Sequence, residues 1–149
     1  MSELNKIAAS ATIHCLSGCA IGETLGMVLS TIWGWGTASS IALAVALAFF
    51  FGYLLSMVPL LRHRLGLKKA LKIALAADTI SILIMEITDN GFILLVPGAI
   101  HAGLDTFLFW GSLSLSLIVA FFAAFPVNRY MIARGKGHAI AHSYHDGHK

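Results

Sequence analysis

Residues 7–33 read IAASATIHCLSGCAIGETLGMVLSTIW, and the way this stretch is accommodated decides the fold. A helix of about 20 apolar residues crosses a bilayer, so the stretch is long enough. Yet it carries Cys15, Cys19, Glu23 and Met27 at every fourth position. Side chains at that spacing lie along one slowly drifting helix face. The face therefore gathers two thiols, a carboxylate and a thioether. His14, Gly18, Gly22 and Gly26 form the neighbouring row, and its three glycines predict that another helix packs there very closely. An ionised carboxylate in hydrocarbon costs about 3 kcal/mol on insertion scales. Glu23 should therefore face protein, water or an ion rather than lipid.

The rest of the chain has the same character. Of 149 residues 58% are hydrophobic and 11% charged, and the mean hydropathy is +0.83. An ordinary soluble domain is about one quarter charged, so the composition identifies an integral membrane protein. The expected fold is all-α and polytopic, with four transmembrane helices over about 7–33, 40–61, 70–88 and 97–125. These make one domain, 1–136, followed by a histidine-rich tail, 137–149. The second span, centred on ALAVALAFFF, offers packing or lipid contact and no chemistry. The opening MSELNK lacks a strongly basic leader, and no cleaved signal peptide is expected.

Lys and Arg fix an orientation. Arg62, Arg64, Lys68, Lys69 and Lys72 crowd the second connection, whereas the loops at Trp33 and Asn90 hold none. The positive-inside rule then places both termini in the cytoplasm, in a cytoplasmic (inner) membrane, with Arg129, Arg134 and Lys136 on the same side. The net charge of +3 is thereby read as a topology signal, and no nucleic acid partner is expected. Cys15 and Cys19, one turn apart on a helix, are badly oriented to bridge each other and are read as free thiols.

Depth follows from a rise of about 1.5 Å per residue. On that scale Cys15 and Asp78 lie about 12 Å from the cytoplasmic face, Cys19 about 18 Å, and Glu23 and Glu86 about 24 Å. His101 and Asp105, entering from the outer side, come to about 25 and 20 Å. An intramembrane site of Glu23, Glu86, His101 and Asp105 is expected, with Cys19 below and Met27 above. His101 and Asp105, at i and i+4, would share a helix face. Asp78 and Asp89 are candidate gate residues, and Glu86, about 80° from them on a helical wheel, would line a different wall. Sulfur ligands suit copper(I), and Glu with His suits zinc, manganese or iron. The candidate metal-contacting residues are thus His14, Cys15, Cys19, Glu23, Met27, Glu86, His101 and Asp105. Spaced at four and three, His138, His142 and His145 in the tail would give a weak metal collector if helical, or a solvated tail if not. The plainer reading treats the cysteines and Met27 as packing residues and the carboxyls as a hydrogen-bond network.

The element HCxxGCxxGExxGM over residues 14–27, with Asp78 in the third span and His101-Ala-Gly-Leu-Asp105 in the fourth, resembles a prokaryotic family of small four-helix membrane domains of unknown function. The resemblance covers about residues 14–134. Members of that family are sometimes joined to copper-protein domains, which implies metal handling. The resulting expectation is a protein that binds or translocates a transition metal ion, copper or zinc, as a homo-oligomer packed through the glycine face or as a subunit of a membrane complex. Two rivals are an accessory subunit of a larger copper enzyme and a redox subunit holding haem or a quinone. Against haem, His14 and His101 fall near opposite faces. No nucleophilic triad or phosphate loop is present, so no catalytic residue is assigned.

Overall fold

The computed structural model describes residues 3–62 and 66–134. The tail histidines His138, His142 and His145 lie outside them. The elements are helices α1 (Glu3–Ile32), α2 (Thr37–Arg62), α3 (Leu67–Leu95) and α4 (Phe107–Ala133), with a 3-10 turn at Ala99–His101 before α4. Three segments are long and apolar enough to cross a membrane: Glu3–Ile32, Thr37–Val58 and Phe107–Ala133. Ile13 and Ile21 of α1, Phe50 and Leu54 of α2, and Ile118 and Phe122 of α4 face outward. α3 likewise turns Ile80, Leu83 and Ile87 outward and Asp78, Glu86 and Asp89 inward.

Local chemistry sets the helix ends. α1 stops at Gly34, whose φ of +66° is strained for any residue with a Cβ. The Trp35 amide then reaches back to the Ser30 carbonyl at 2.9 Å and the Gly34 amide to Thr31 at 3.2 Å. This pair of bonds closes the last turn as a Schellman motif. At the start of α4 the Thr106 hydroxyl accepts from the Phe109 amide at 3.2 Å, an N-cap.

Three boundaries differ most from the sequence reading. α3 runs past residue 88 to Leu95. Asp89, Asn90 and Gly91 are helical, and Asn90 Nδ2 donates back to the Glu86 carbonyl at 2.9 Å instead of closing a turn. The last helix begins at Phe107 rather than residue 97, since Gly98 sits at φ +79° and breaks the helix there, while Pro97 keeps Val96 extended and closes α3. It also continues through Pro126 to Ala133, past the expected end at 125. Membrane helices tolerate an internal proline.

The helices run alternately up and down, with α1 beside α2 and α4, α3 beside α2 and α4, and α1 touching α3 across the diagonal. α1 and α2 meet along the glycine row. A Cβ built on Gly18 would stand 2.6 Å from Gly52 Cα, and one on Gly26 2.5 Å from Ala44 Cα. Gly22 faces the Ala48 backbone equally tightly. Close helix packing at the three glycines is thus observed, and its partner is α2 of the same chain. In this chain the glycine face is therefore occupied by α2. The central core joins Cys15, Cys19, Ala48, Ile82, Met85, Ala120 and Ala124, and a second cluster near the chain termini joins Ala8, Ala11 and Ile132.

Candidate functional site

The α1–α3 diagonal holds the chemistry. Both helices run in the same direction, so their polar positions meet in sequence order. The Cys15 thiol donates to Asp78 Oδ1 at 3.5 Å. One turn on in α1 and two turns on in α3, the Cys19 thiol lies against the Glu86 carboxyl. A further turn on, the Glu23 carboxyl meets that of Asp89, which also meets Ser116 of α4. Cys15, Cys19, Asp78 and Asp89 are each at most 2% exposed, and Glu23 and Glu86 at most 5%. Both cysteines are free. The result is a buried row of three pairs, two thiol–carboxyl and one carboxyl–carboxyl.

Its donors are sparse. Among the described residues, neither oxygen of Glu23, nor Oε1 of Glu86, nor Oδ1 of Asp89 meets an N–H or hydroxyl donor. Glu86 Oε2 accepts from Asn90 Nδ2 at 3.4 Å. Buried polar oxygens in native proteins ordinarily have partners, so these oxygens are available to a proton or a cation.

The row opens at the loop end into a cavity of about 280 Å³ lined by Glu23, Met27, Asp89, Asn90, His101 and Ser112, among others. Exposed Thr31, Trp35, Thr37 and His101 carry it to the surface. At about 30 Å³ per water molecule it has room for about nine water molecules.

Most sequence-selected residues therefore fall in one place. Cys15, Cys19, Glu23, Glu86, Asp78 and Asp89 form the row, and Met27 and His101 border the cavity. Glu86 does not line a separate wall: it sits across from Cys19, one turn below the Glu23–Asp89 pair. Asp105 lies outside the cavity and is exposed, and His101 is an exposed residue of the 3-10 turn. The two do not share a helix face, because the chain between Pro97 and Thr106 is not α-helical. Half-buried His14 borders a shallow groove with Lys6, Ser10 and Ser17, away from the row. Among the described residues, no group of three or more His, Cys, Asp and Glu is arranged to hold a metal ion.

The sequence reading missed Asn128. It lies 2% exposed inside α4, and its Nδ2 donates to Thr12 Oγ1 and Ser81 Oγ, both at 2.9 Å. Ser112, Ser116, Ala120, Ala124 and Asn128 recur every four residues and are all buried. That small-residue period was the available signal.

A family described as "Domain of unknown function (DUF4396)" matches residues 4–137. Comparison with curated proteins and with solved structures returned no match to either. With nearly the whole length matched, the chain belongs to that family.

Proposed function

We propose that this family member binds a transition-metal cation and passes it along the α1–α3 row, with all four helices spanning the cytoplasmic membrane and both termini inside. The observation that carries the reading is the order of the row: Glu23–Asp89, Cys19–Glu86 and Cys15–Asp78 succeed one another from the cavity inward. Glu23, Asp89 and Met27 would receive the ion in the cavity, with His101 at the rim. Cys19 with Glu86 would take it next, and Cys15 with Asp78 would release it. Two ligands at each level suit a passing ion, because conduction needs sites that bind well enough to enter and weakly enough to leave. Thiolate and thioether ligands favour a soft ion such as copper(I).

Elemental mass spectrometry on detergent-purified protein tests the reading. Stoichiometric copper or zinc should be present in the wild type and reduced in Glu23→Gln, while the variant remains folded. Cys19→Ser should lose copper more than zinc, since removing the sulfur leaves oxygen ligands. Absence of metal in every sample after loading with copper and zinc would overturn it.

A proton relay is the second reading, favoured by the direct contact of the Glu23 and Asp89 carboxyls. Two carboxyls in contact inside a low-dielectric core avoid facing charges by sharing a proton. Proton flux into liposomes, read with an entrapped pH dye and lost in Glu23→Gln, would distinguish it.

A further inference from the structure

The row is open at one end and shut at the other. At the loop end it meets the cavity. Across the Cys15–Asp78 pair, Thr12 of α1, Ser81 of α3 and Asn128 of α4 close ranks. The Asn128 amide reaches both hydroxyls at 2.9 Å, and Thr12 and Ser81 have no measurable exposure. Thr12 lies one turn from Cys15 on the terminal side and Ser81 one turn from Asp78 on the cavity side, where it meets the Cys15 thiol, so the crossbar runs obliquely over the pair. Below this crossbar, Ala8, Ala11 and Ile132 form an apolar plug with Leu4, Ile7 and Phe125. Two of its members, Phe125 and Ile132, belong to α4.

Pro126 lies inside α4 two residues before Asn128. Lacking an N–H, it cannot bond to the Phe122 carbonyl, and the helix loses one rung there. A missing rung is one of the few identifiable causes of helix bending. The segment 127–133, which carries Asn128 and Ile132, is therefore joined to the rest of α4 by its weakest point.

We infer that Asn128 is the gate residue at the terminal end of the row: its two hydrogen bonds hold the last segment of α4 shut over Cys15, and their release lets that segment swing out about Pro126. This rests on the reading of the row as a path, and adds the residue that closes it. Two arrangements of one packed element, separated by a few hydrogen bonds, are what a switching segment requires. Asn128 touches neither thiol nor carboxyl of the row among its hydrogen bonds, so it is a positioning residue.

The native thiols report the gate. In a Cys19→Ala background reconstituted in nanodiscs, Cys15 is the target for a small charged methanethiosulfonate reagent. It should be protected in otherwise wild-type protein and should react at least about tenfold faster in Asn128→Ala, since an open–shut balance follows the free energy of the contacts that bias it. Thr12→Val, nearly isosteric but without the hydroxyl, should do the same. Thr12→Ser, which keeps the acceptor, should retain protection. In the reciprocal Cys15→Ala background, Cys19 should react at an unchanged rate, because it lies toward the other end. Protection of Cys15 in all variants would overturn the gate. So would a parallel rise at Cys15 and Cys19, which marks general loosening. No metal enters the assay, so a responding gate in a protein that binds neither copper nor zinc would remove the metal reading and leave the gate standing.

Discussion

Gly18→Ala is the sharpest test of the fold, because it adds one methyl where two backbones nearly touch. The new Cβ would stand 2.6 Å from Gly52 Cα and 2.7 Å from Gly52 N. No rotamer relieves a clash between a Cβ and backbone, so α1 and α2 must separate locally by about 0.8 Å to restore the 3.4 Å of an ordinary contact. Overpacking of this kind costs about 1–3 kcal/mol. The same substitution at Gly91, in α3, places its new Cβ in open space with no atom within 4 Å, and only removes glycine's conformational freedom. It should stabilise by about 0.5–1 kcal/mol. Opposite signs for one chemical change are therefore expected. Equilibrium unfolding in mixed micelles, titrated with a denaturing detergent and followed by far-ultraviolet circular dichroism, measures both. Gly18→Ala as stable as wild type would refute the reasoning, since the seam would then have slack.

Three further outcomes follow from single contacts. Ile82, with no measurable exposure and its Cδ1 against Gly52, should lose about 2 kcal/mol on truncation to Ala, whereas outward-facing Ile80→Ala should stay within about 0.5 kcal/mol in the same titration. The figure takes the low end of the soluble range because burial in a bilayer carries packing and cavity terms but little transfer from water. Thr106→Ala should cost about 1 kcal/mol by uncapping α4, and Thr106→Asp should recover most of it. His101→Ala should slow metal uptake in stopped-flow loading without lowering the stoichiometry bound at equilibrium, because His101 stands at the rim and not in the row; a lost equivalent of metal would make it a ligand.

The first helix was legible almost residue by residue, since its glycines and ionisable groups contrast with their surroundings. Gly18, Gly22 and Gly26 face a close helix, and Cys15, Cys19 and Glu23 face inward. The partner of that glycine row was not legible. On α2, Ser40, Ala44, Ala48, Gly52 and Ser56 recur every four residues and are all buried. In a span whose lipid-facing side is also apolar, polarity marks no inner face, and side-chain size carries the signal instead. The same applies to Ser112, Ser116, Ala120, Ala124 and Asn128 on α4. His101 and Asp105 failed for another reason. Their spacing puts them together only on a helix, and Pro97 with left-handed Gly98 prevents one there. Depth counting put Glu23 level with Glu86, whereas the structure staggers them by a turn and pairs Glu23 with Asp89. That pairing was hidden because the third span was expected to end at residue 88.

The two rows on α1 belong to one design constraint. The glycine row and the thiol–carboxyl row are offset by one residue, about 100° around the helix, so α1 is clamped against α2 on one side while it reaches across the bundle to α3 on the other. Opposite helices of a four-helix bundle meet only if the intervening side chains are small. Ala48 of α2 and Ala120 and Ala124 of α4, all without measurable exposure, satisfy that condition at the level of Cys15 and Cys19. The short side chains therefore have a purpose beyond helix packing: they bring Cys15 to Asp78 and Cys19 to Glu86 with no intervening residue. Enlarging Ala120 to Leu should push α1 and α3 apart and break those pairs while leaving the α1–α2 seam intact. The predicted result is loss of metal binding, or of proton flux, in a protein whose Gly18 seam still protects α1 amides from hydrogen exchange. Retained binding in that variant would mean that the row is not where the cation sits.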